Sequence, residues 1–189
     1  MEALDTTEVL ACTDAARWES WLAHHREQSS GIWLLIAKKR SDKVSVTISD
    51  ALDVALCYGW IDSQRKRYDT DSYLQRYSPR RPKSPWSRLN VDRAEALIGA
   101  GRMRAPGLAE VASAKADGRW AAAYEPQRNV RLPPDLAAAL ERNERARTAF
   151  ERLDKTRQYA TILPVLKAAT PAIRVIRVQK AVAGLEAGT

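Results

Sequence analysis

The chain is short of the residues that most often announce a reaction. Two histidines and two cysteines occur among 189 residues, and the cysteines, Cys12 and Cys57, form no CxxC pair. His24 and His25 are adjacent, so on a helix they point about 100° apart and cannot grip one metal together. No metal site is expected, and the sparse cysteines fit free thiols in a reducing compartment. GxGxxG, P-loop, GxSxG and HExxH motifs are all missing. Nucleotide cofactors and the common hydrolase chemistries therefore have no support, and no cofactor is expected. Long apolar runs are missing too. The longest plain one, Ile32 to Ala37, is far below the ~20 residues of a membrane-spanning helix. Residues 1–16 hold Glu2, Asp5, Glu8 and Asp14 but no lysine or arginine, unlike the positive start of a signal peptide. No membrane association is expected, and the expected location is cytoplasmic.

What is present is unevenly placed. All six tryptophans lie within the first 120 residues, while the single phenylalanine is Phe150. The chain passes through Glu125-Pro126-Gln127-Arg128-Asn129 and Leu132-Pro133-Pro134, then turns rich in Ala, Leu and Arg. This shift divides a main domain, residues 1–128, from a helical C-terminal module, residues 129–189. Charge is concentrated as well. Residues 65–104 carry 11 Lys/Arg against 4 Asp/Glu, a net +7, while the whole chain carries +8. A cationic surplus gathered in one segment points to a site that meets an anion.

The coarse pattern is α+β: mostly helical, with a small antiparallel β-sheet of about three strands. Thr13 or Asp14 can cap a helix bearing Ala15, Trp18, Trp21 and Leu22, fading near Gln28-Ser29-Ser30-Gly31. Ile32 to Ala37 is short and rich in strand formers, hence a buried strand. Thr47-Ile48-Ser49-Asp50 fits a capping box before a helix that Gly59 can stop. Trp60 to Tyr68 and Ser72 to Ser78 read as a hairpin around Asp69-Thr70-Asp71. Asn90 can cap a helix from Val91 to Ala100, and Pro106 can open another that Gly118 ends. Downstream, residues 134–142, 144–153, 156–169 and 171–185 look helical, with Pro164 kinking or dividing the third.

Two stretches carry chemistry. The first is Pro79-Arg80-Arg81-Pro82-Lys83-Ser84-Pro85-Trp86-Ser87-Arg88-Leu89-Asn90. Arg80 and Arg81 offer forked donors for a carboxylate or phosphate. Ser84, Ser87 and Asn90 stand at a helix start, where donors favour negative charge. Three prolines restrict the loop and lower the entropy lost on binding. Trp86 can stack on a planar ligand or serve as a core anchor. The second stretch is Ala55-Leu56-Cys57-Tyr58-Gly59-Trp60-Ile61-Asp62. A partly desolvated Asp62 near Arg80 or Arg81 can act as a general base, or hold the arginine by an internal salt bridge. Arg102, in Gly101-Arg102-Met103-Arg104, can complete the same anion pocket or merely complement a helix end.

These segments resemble the YdeI/OmpD-associated family, also labelled bacteriocin-protection proteins. The carrying residues include Gly31-Ile32-Trp33, Gly59-Trp60-Ile61-Asp62, Tyr77 to Ser84, Trp86-Ser87 with Asn90, and Gly118-Arg119-Trp120; Leu132-Pro133 and Arg157 to Tyr159 continue the match. The C-terminus departs from the pattern. Similar proteins have Ala-Lys and then Glu-Thr-Arg with further arginines, where this chain has Leu166-Lys167, Thr170-Pro171-Ala172 and Arg174-Val175. The resemblance implies a link to tolerance of bacteriocins and cationic antimicrobial peptides.

Three functions are compatible with these residues. The first is a cytoplasmic protein binding a small anionic ligand, aromatic ones included, through Trp60, Arg80, Arg81, Ser84, Trp86, Asn90 and Arg102. The second is an enzyme using the same pocket, with Asp62 as acid or base and Arg80 and Arg81 stabilising negative charge. The third is nucleic-acid binding, compatible with a pI near 9.7 and with aromatics among arginines, though no recognition motif is present.

Overall fold

A computed structural model describes residues 9–25 and 30–188. In order, it contains β1 (Val9–Ala11), α1 (Ala15–His24), β2 (Ile32–Ala37), α2 (Ile48–Cys57), β3 (Trp60–Arg67) and β4 (Ser72–Pro79). Six helices follow: α3 (Arg88–Gly99), α4 (Ala105–Ala116), α5 (Pro134–Glu141), α6 (Glu144–Arg152), α7 (Lys155–Leu166) and α8 (Pro171–Ala187). The chain forms two compact units. One takes the chain up to Ser84 and then Val91–Trp120; the other takes Pro85–Asn90 and the chain from Ala121 onward.

The first unit is built on one mixed sheet with strand order β1-β2-β4-β3. Because successive side chains alternate in a strand, Ile32, Leu34 and Ile36 of β2 share a face with Tyr73, Gln75 and Tyr77 of β4. That face is the core side: Ile32, Leu34 and Tyr77 are fully buried with Trp18, Leu22, Val54 and Trp60. Trp18 and Trp21 stack at 5.5 Å between centroids, and Trp60 meets both edge-on at 6.4 and 6.0 Å. Such offset and edge geometries suit the aromatic quadrupole. The one polar atom of Trp18 is satisfied, its indole N–H donating to the Ala51 carbonyl at 3.0 Å. Gly107 lets α4 approach the end of α2, because a Cβ there would collide with the Cys57 carbonyl.

The capping arguments hold in most places. Asp14 accepts from the Arg17 N–H at 2.9 Å, and Thr47 accepts from the Asp50 N–H at 3.1 Å. Two expectations need correction. The sheet has four strands and is mixed, since β1 pairs in parallel with β2; three residues at an edge are too few to show periodicity. The helix expected from Val91 begins at Arg88, and its cap is Ser87, whose hydroxyl accepts from the Asn90 N–H at 3.2 Å. Asn90 therefore lies inside the first turn. Helix α1 ends at His24, and the expected fading at Gln28-Ser29 falls outside the described residues.

The second unit has a core of Leu136, Leu140, Ala146, Phe150, Ile162, Val165, Val178 and Leu185. Three of its helices, α6, α7 and α8, start on side-chain caps: Asn143, Asp154 and Thr170 each accept from the backbone three residues on. Pro164 does not divide α7, because it falls in the last turn, where one lost backbone bond is tolerable. Arg177 of α8 then finishes that helix, its Nη1 donating to the Pro164 carbonyl at 2.6 Å, while Arg174 forks onto Asp135 of α5 at 2.6 and 2.9 Å. Within this unit, Ser87 also forms a parallel bridge with Tyr124, supported by the Tyr124 N–H donating to the Trp86 carbonyl at 3.0 Å.

Candidate anion-binding site

The end of α2 and the end of β4 meet through one glycine. Gly59 adopts φ +74°, a conformation other residues enter at a cost, and so turns the chain from α2 into β3. Its carbonyl accepts the Arg80 N–H at 3.0 Å. The acid-bearing stretch and the paired arginines are therefore neighbours, with Trp60 opposite Pro79 and Asp62 opposite Tyr77.

A β-bulge decides which way Asp62 faces. Near the hairpin tip, Arg67 pairs with Tyr73 and Arg65 with Gln75; beyond an irregularity between Asp62 and Arg65, Asp62 pairs with Tyr77. Continuing the tip register would have set Asp62 opposite Ser78, on the other face. One extra residue moves every side chain beyond it to the opposite face. The bulge thus puts Trp60 and Asp62 on the inner side of the sheet.

Charge becomes partly buried as a result. Burial lifts the half-buried Asp62 carboxyl above the usual carboxylate range; its own backbone N–H, Arg80, Arg65 and Arg93 pull it back only in part. Burial, and secondarily the Asp62 charge, drive the Tyr77 phenol far upward, so Tyr77 is neutral throughout ordinary pH. The Tyr77 hydroxyl finds no hydrogen-bond partner among the described residues. Arg80 is 9% exposed. A guanidinium withdrawn this far from water demands negative charge or good acceptors. Arg93 is held in place, donating to Asp53 at 2.7 Å and to the Ser49 carbonyl at 3.1 Å.

Beyond Arg80 the loop makes a tight turn. The Ser84 N–H donates to the Arg81 carbonyl at 3.0 Å, with Pro82 and Lys83 between. Lys83 has φ +65°, the position that a type II turn normally gives to glycine. Arg119 anchors the turn: its Nη1 donates to the Ser84 carbonyl at 3.1 Å and to Glu110 at 2.8 Å, and its Nε to Asp117 at 2.7 Å. Arg81 and Lys83 remain exposed.

The residues read from the sequence separate into three groups. Trp60, Asp62 and Arg80 come together, and Arg81 and Ser84 follow in the adjoining turn. Trp86 and Asn90 belong to the second unit. Arg102 lies 3.7 Å from Asp53 and is half exposed. Neither tryptophan offers its ring to a ligand, since Trp60 is 3% and Trp86 2% exposed; both are core residues. Sequence reasoning missed Tyr77, Arg93 and Arg119. Tyr77 could be found only from the bulged register, and no local spacing marks the other two.

Among the described residues, no helix is long and apolar enough to cross a membrane, and no group of three or more His, Cys, Asp or Glu is placed to hold a metal. No curated protein and no solved structure matches the chain. Two family profiles do. Residues 129–188 match the family described as bacteriocin-protection, YdeI or OmpD-associated. The family resemblance is thus found on the C-terminal helices, including the segment whose arginines depart from the pattern. The N-terminal blocks fall under another profile, described as a domain of unknown function (DUF8412), over residues 10–110. That match spans more than half of the sequence, so the chain belongs to the family of this N-terminal domain of unknown function, joined here to a YdeI/OmpD-associated C-terminal segment.

Proposed function

We propose that the protein binds a small anionic ligand in the cytoplasm, with Arg80 as the principal partner and Arg81 at the mouth. Planar and aromatic anions are included. The carrying observation is the bulge that turns Asp62 inward beside a nearly buried arginine. Arg80 and Arg65 bear on one carboxyl whose charge is already disfavoured, and Arg93, itself paired with Asp53, adds to their field, so the local balance favours an incoming negative group. The two cysteines are buried and free, as a reducing compartment allows. Protection against bacteriocins, the role in the C-terminal family's description, is part of the proposal, together with the tolerance of antimicrobial peptides that the resemblance implies. It would act through an intracellular anion, because cationic peptides are repelled by this site.

The test is native mass spectrometry of freshly purified protein, followed by calorimetric titration with benzoate and with inorganic phosphate. Arg80→Ala combined with Arg81→Ala should abolish binding while far-UV circular dichroism stays unchanged. Undiminished binding of every probe by that folded variant would end the proposal.

A second reading makes the site catalytic, with Asp62 as acid or base. Its support is the same lifted carboxyl, since a catalytic acid or base works best with its pKa moved toward the operating pH. This reading requires Asp62→Asn to abolish turnover of a co-purified compound while its binding survives.

A further inference from the structure

The second unit contains a hollow that plays no part in the Arg80 site. It encloses about 790 Å³, and its walls come from α6, α7 and α8. The space exists because small side chains line it: Ala149 on α6, Ala160 on α7 and Ala181 on α8. Closely packed helices normally fill such a gap with larger residues. The volume falls within the range of small-molecule sites, roughly 300–1,000 Å³.

Among the described residues, the charges on the lining are all of one sign: Arg157, Arg177 and Lys180 border the hollow, and no acid does. Arg177 is fixed in place by its 2.6 Å bond to the Pro164 carbonyl. Asp154 is the acid beside Arg157, but it stands 3.9 Å from the guanidinium and is engaged with the backbone N–H of the same residue at 2.8 Å. Both side chains are well exposed, and such a pair contributes little. Leu153, Pro164 and Leu185 complete an apolar floor.

An apolar floor beneath a rim of cations is complementary to a molecule with an apolar body and one negative end. We propose that this hollow binds a free, single-chain acyl anion. Its alkyl chain lies on Ala160, Pro164 and Leu185, and its carboxylate meets Arg157, Arg177 and Lys180. Cationic amphiphiles are repelled at the rim, and neutral ones lose the charge-assisted bonds.

The experiment is calorimetric titration of the full chain with decanoate below its micelle concentration, with decyltrimethylammonium and decanol as controls. Decanoate should bind saturably at one site, at least about tenfold more tightly than either control. Arg157→Gln with Lys180→Gln, both at exposed positions, should weaken binding about tenfold. Ala160→Leu, also at an exposed position, should obstruct the bed of the alkyl chain and weaken binding at least about tenfold with the helical spectrum unchanged. The proposal is overturned by absence of saturable binding, by equal affinity for decyltrimethylammonium, or by undiminished binding in a folded Ala160→Leu variant. Capture on anionic-lipid vesicles without binding of free decanoate overturns it as well, since the cations then serve a membrane surface. Arg80→Ala should leave decanoate binding intact, so this result is separable from the fate of the anion site.

Discussion

The two units solve the same problem of burial with different side chains. The first relies on large aromatics: Trp18, Trp60 and Tyr77 sit inside it, and Trp21 and Trp33 pack at its margins. The helical core of the second is leucine, isoleucine, valine and alanine around one phenylalanine, with the buried Trp86 on the short loop that this unit also takes. Arginine follows the same division. In the first unit Arg80 and Arg119 are drawn inward, whereas in the second Arg174 and Arg177 work at helix ends near the surface. The two proposals divide in the same way, with an anion site in the first unit and an acyl-anion hollow in the second.

The largest effects should come from the cores. Trp18→Ala removes a fully buried ring at the centre of the aromatic cluster and should cost about 3–5 kcal/mol. Leu136→Ala, equally buried in the second unit, should cost about 2–4 kcal/mol. Urea denaturation followed by circular dichroism measures both, and a larger loss for Leu136→Ala would reverse the comparison.

Next comes the buried charge. Arg80→Ala should destabilise by about 3 kcal/mol, because the carboxyl beside it loses a stabilising cation. Combined with Asp62→Asn, the loss should fall short of the summed single losses by about 1 kcal/mol. Additivity within error would show that the two groups do not communicate.

Asp62 also sets a pH dependence. Its native pKa lies above the unfolded value of 3.8, so its favourable contribution is complete below that value and is lost as pH rises through the native one. Asp62→Asn removes the loss. Its melting temperature relative to the parent should therefore improve from pH 3.5 to pH 7. Asp69 makes the internal contrast. It is exposed and hydrogen-bonded to Lys43 at 2.8 Å, which brings its pKa down to about 2. NMR titration should order the two carboxyls accordingly, with Lys43→Ala returning Asp69 toward the ordinary value.

The smallest effect concerns the turn. Lys83→Gly relieves a left-handed lysine and should stabilise by up to about 1 kcal/mol. It should also weaken anion binding slightly, through a looser loop.

Much of the fold was legible because its signals are local. Thr47, Asp14 and Pro106 declare helix starts, Gly59 and Gly118 declare stops, and Ile32 to Ala37 reads as a strand without its partners. The proximity of Asp62 to Arg80 was legible too, because a hairpin closing near Thr70 must bring Trp60 back toward Pro79. What stayed hidden depends on distant pairing. The bulge that turns Asp62 inward has no glycine to mark it, and β1 is defined only by β2. Ser87 outcompetes Asn90 as a cap because its backbone is already pinned to Tyr124, 37 positions away in a segment that shows no pattern of its own.

The route of the chain carries a practical consequence. Six residues, Pro85–Asn90, are spent in the second body before the chain returns to the first, so neither body is a contiguous stretch of sequence. A fragment cut at Ala121 loses the strand partner that Ser87 gives Tyr124, and one cut at residue 129, where the family match begins, loses both residues of that bridge. Excised C-terminal pieces should be less stable than the same helices in the intact polypeptide. Grafting this segment onto another protein would require carrying the short proline-bounded loop with it.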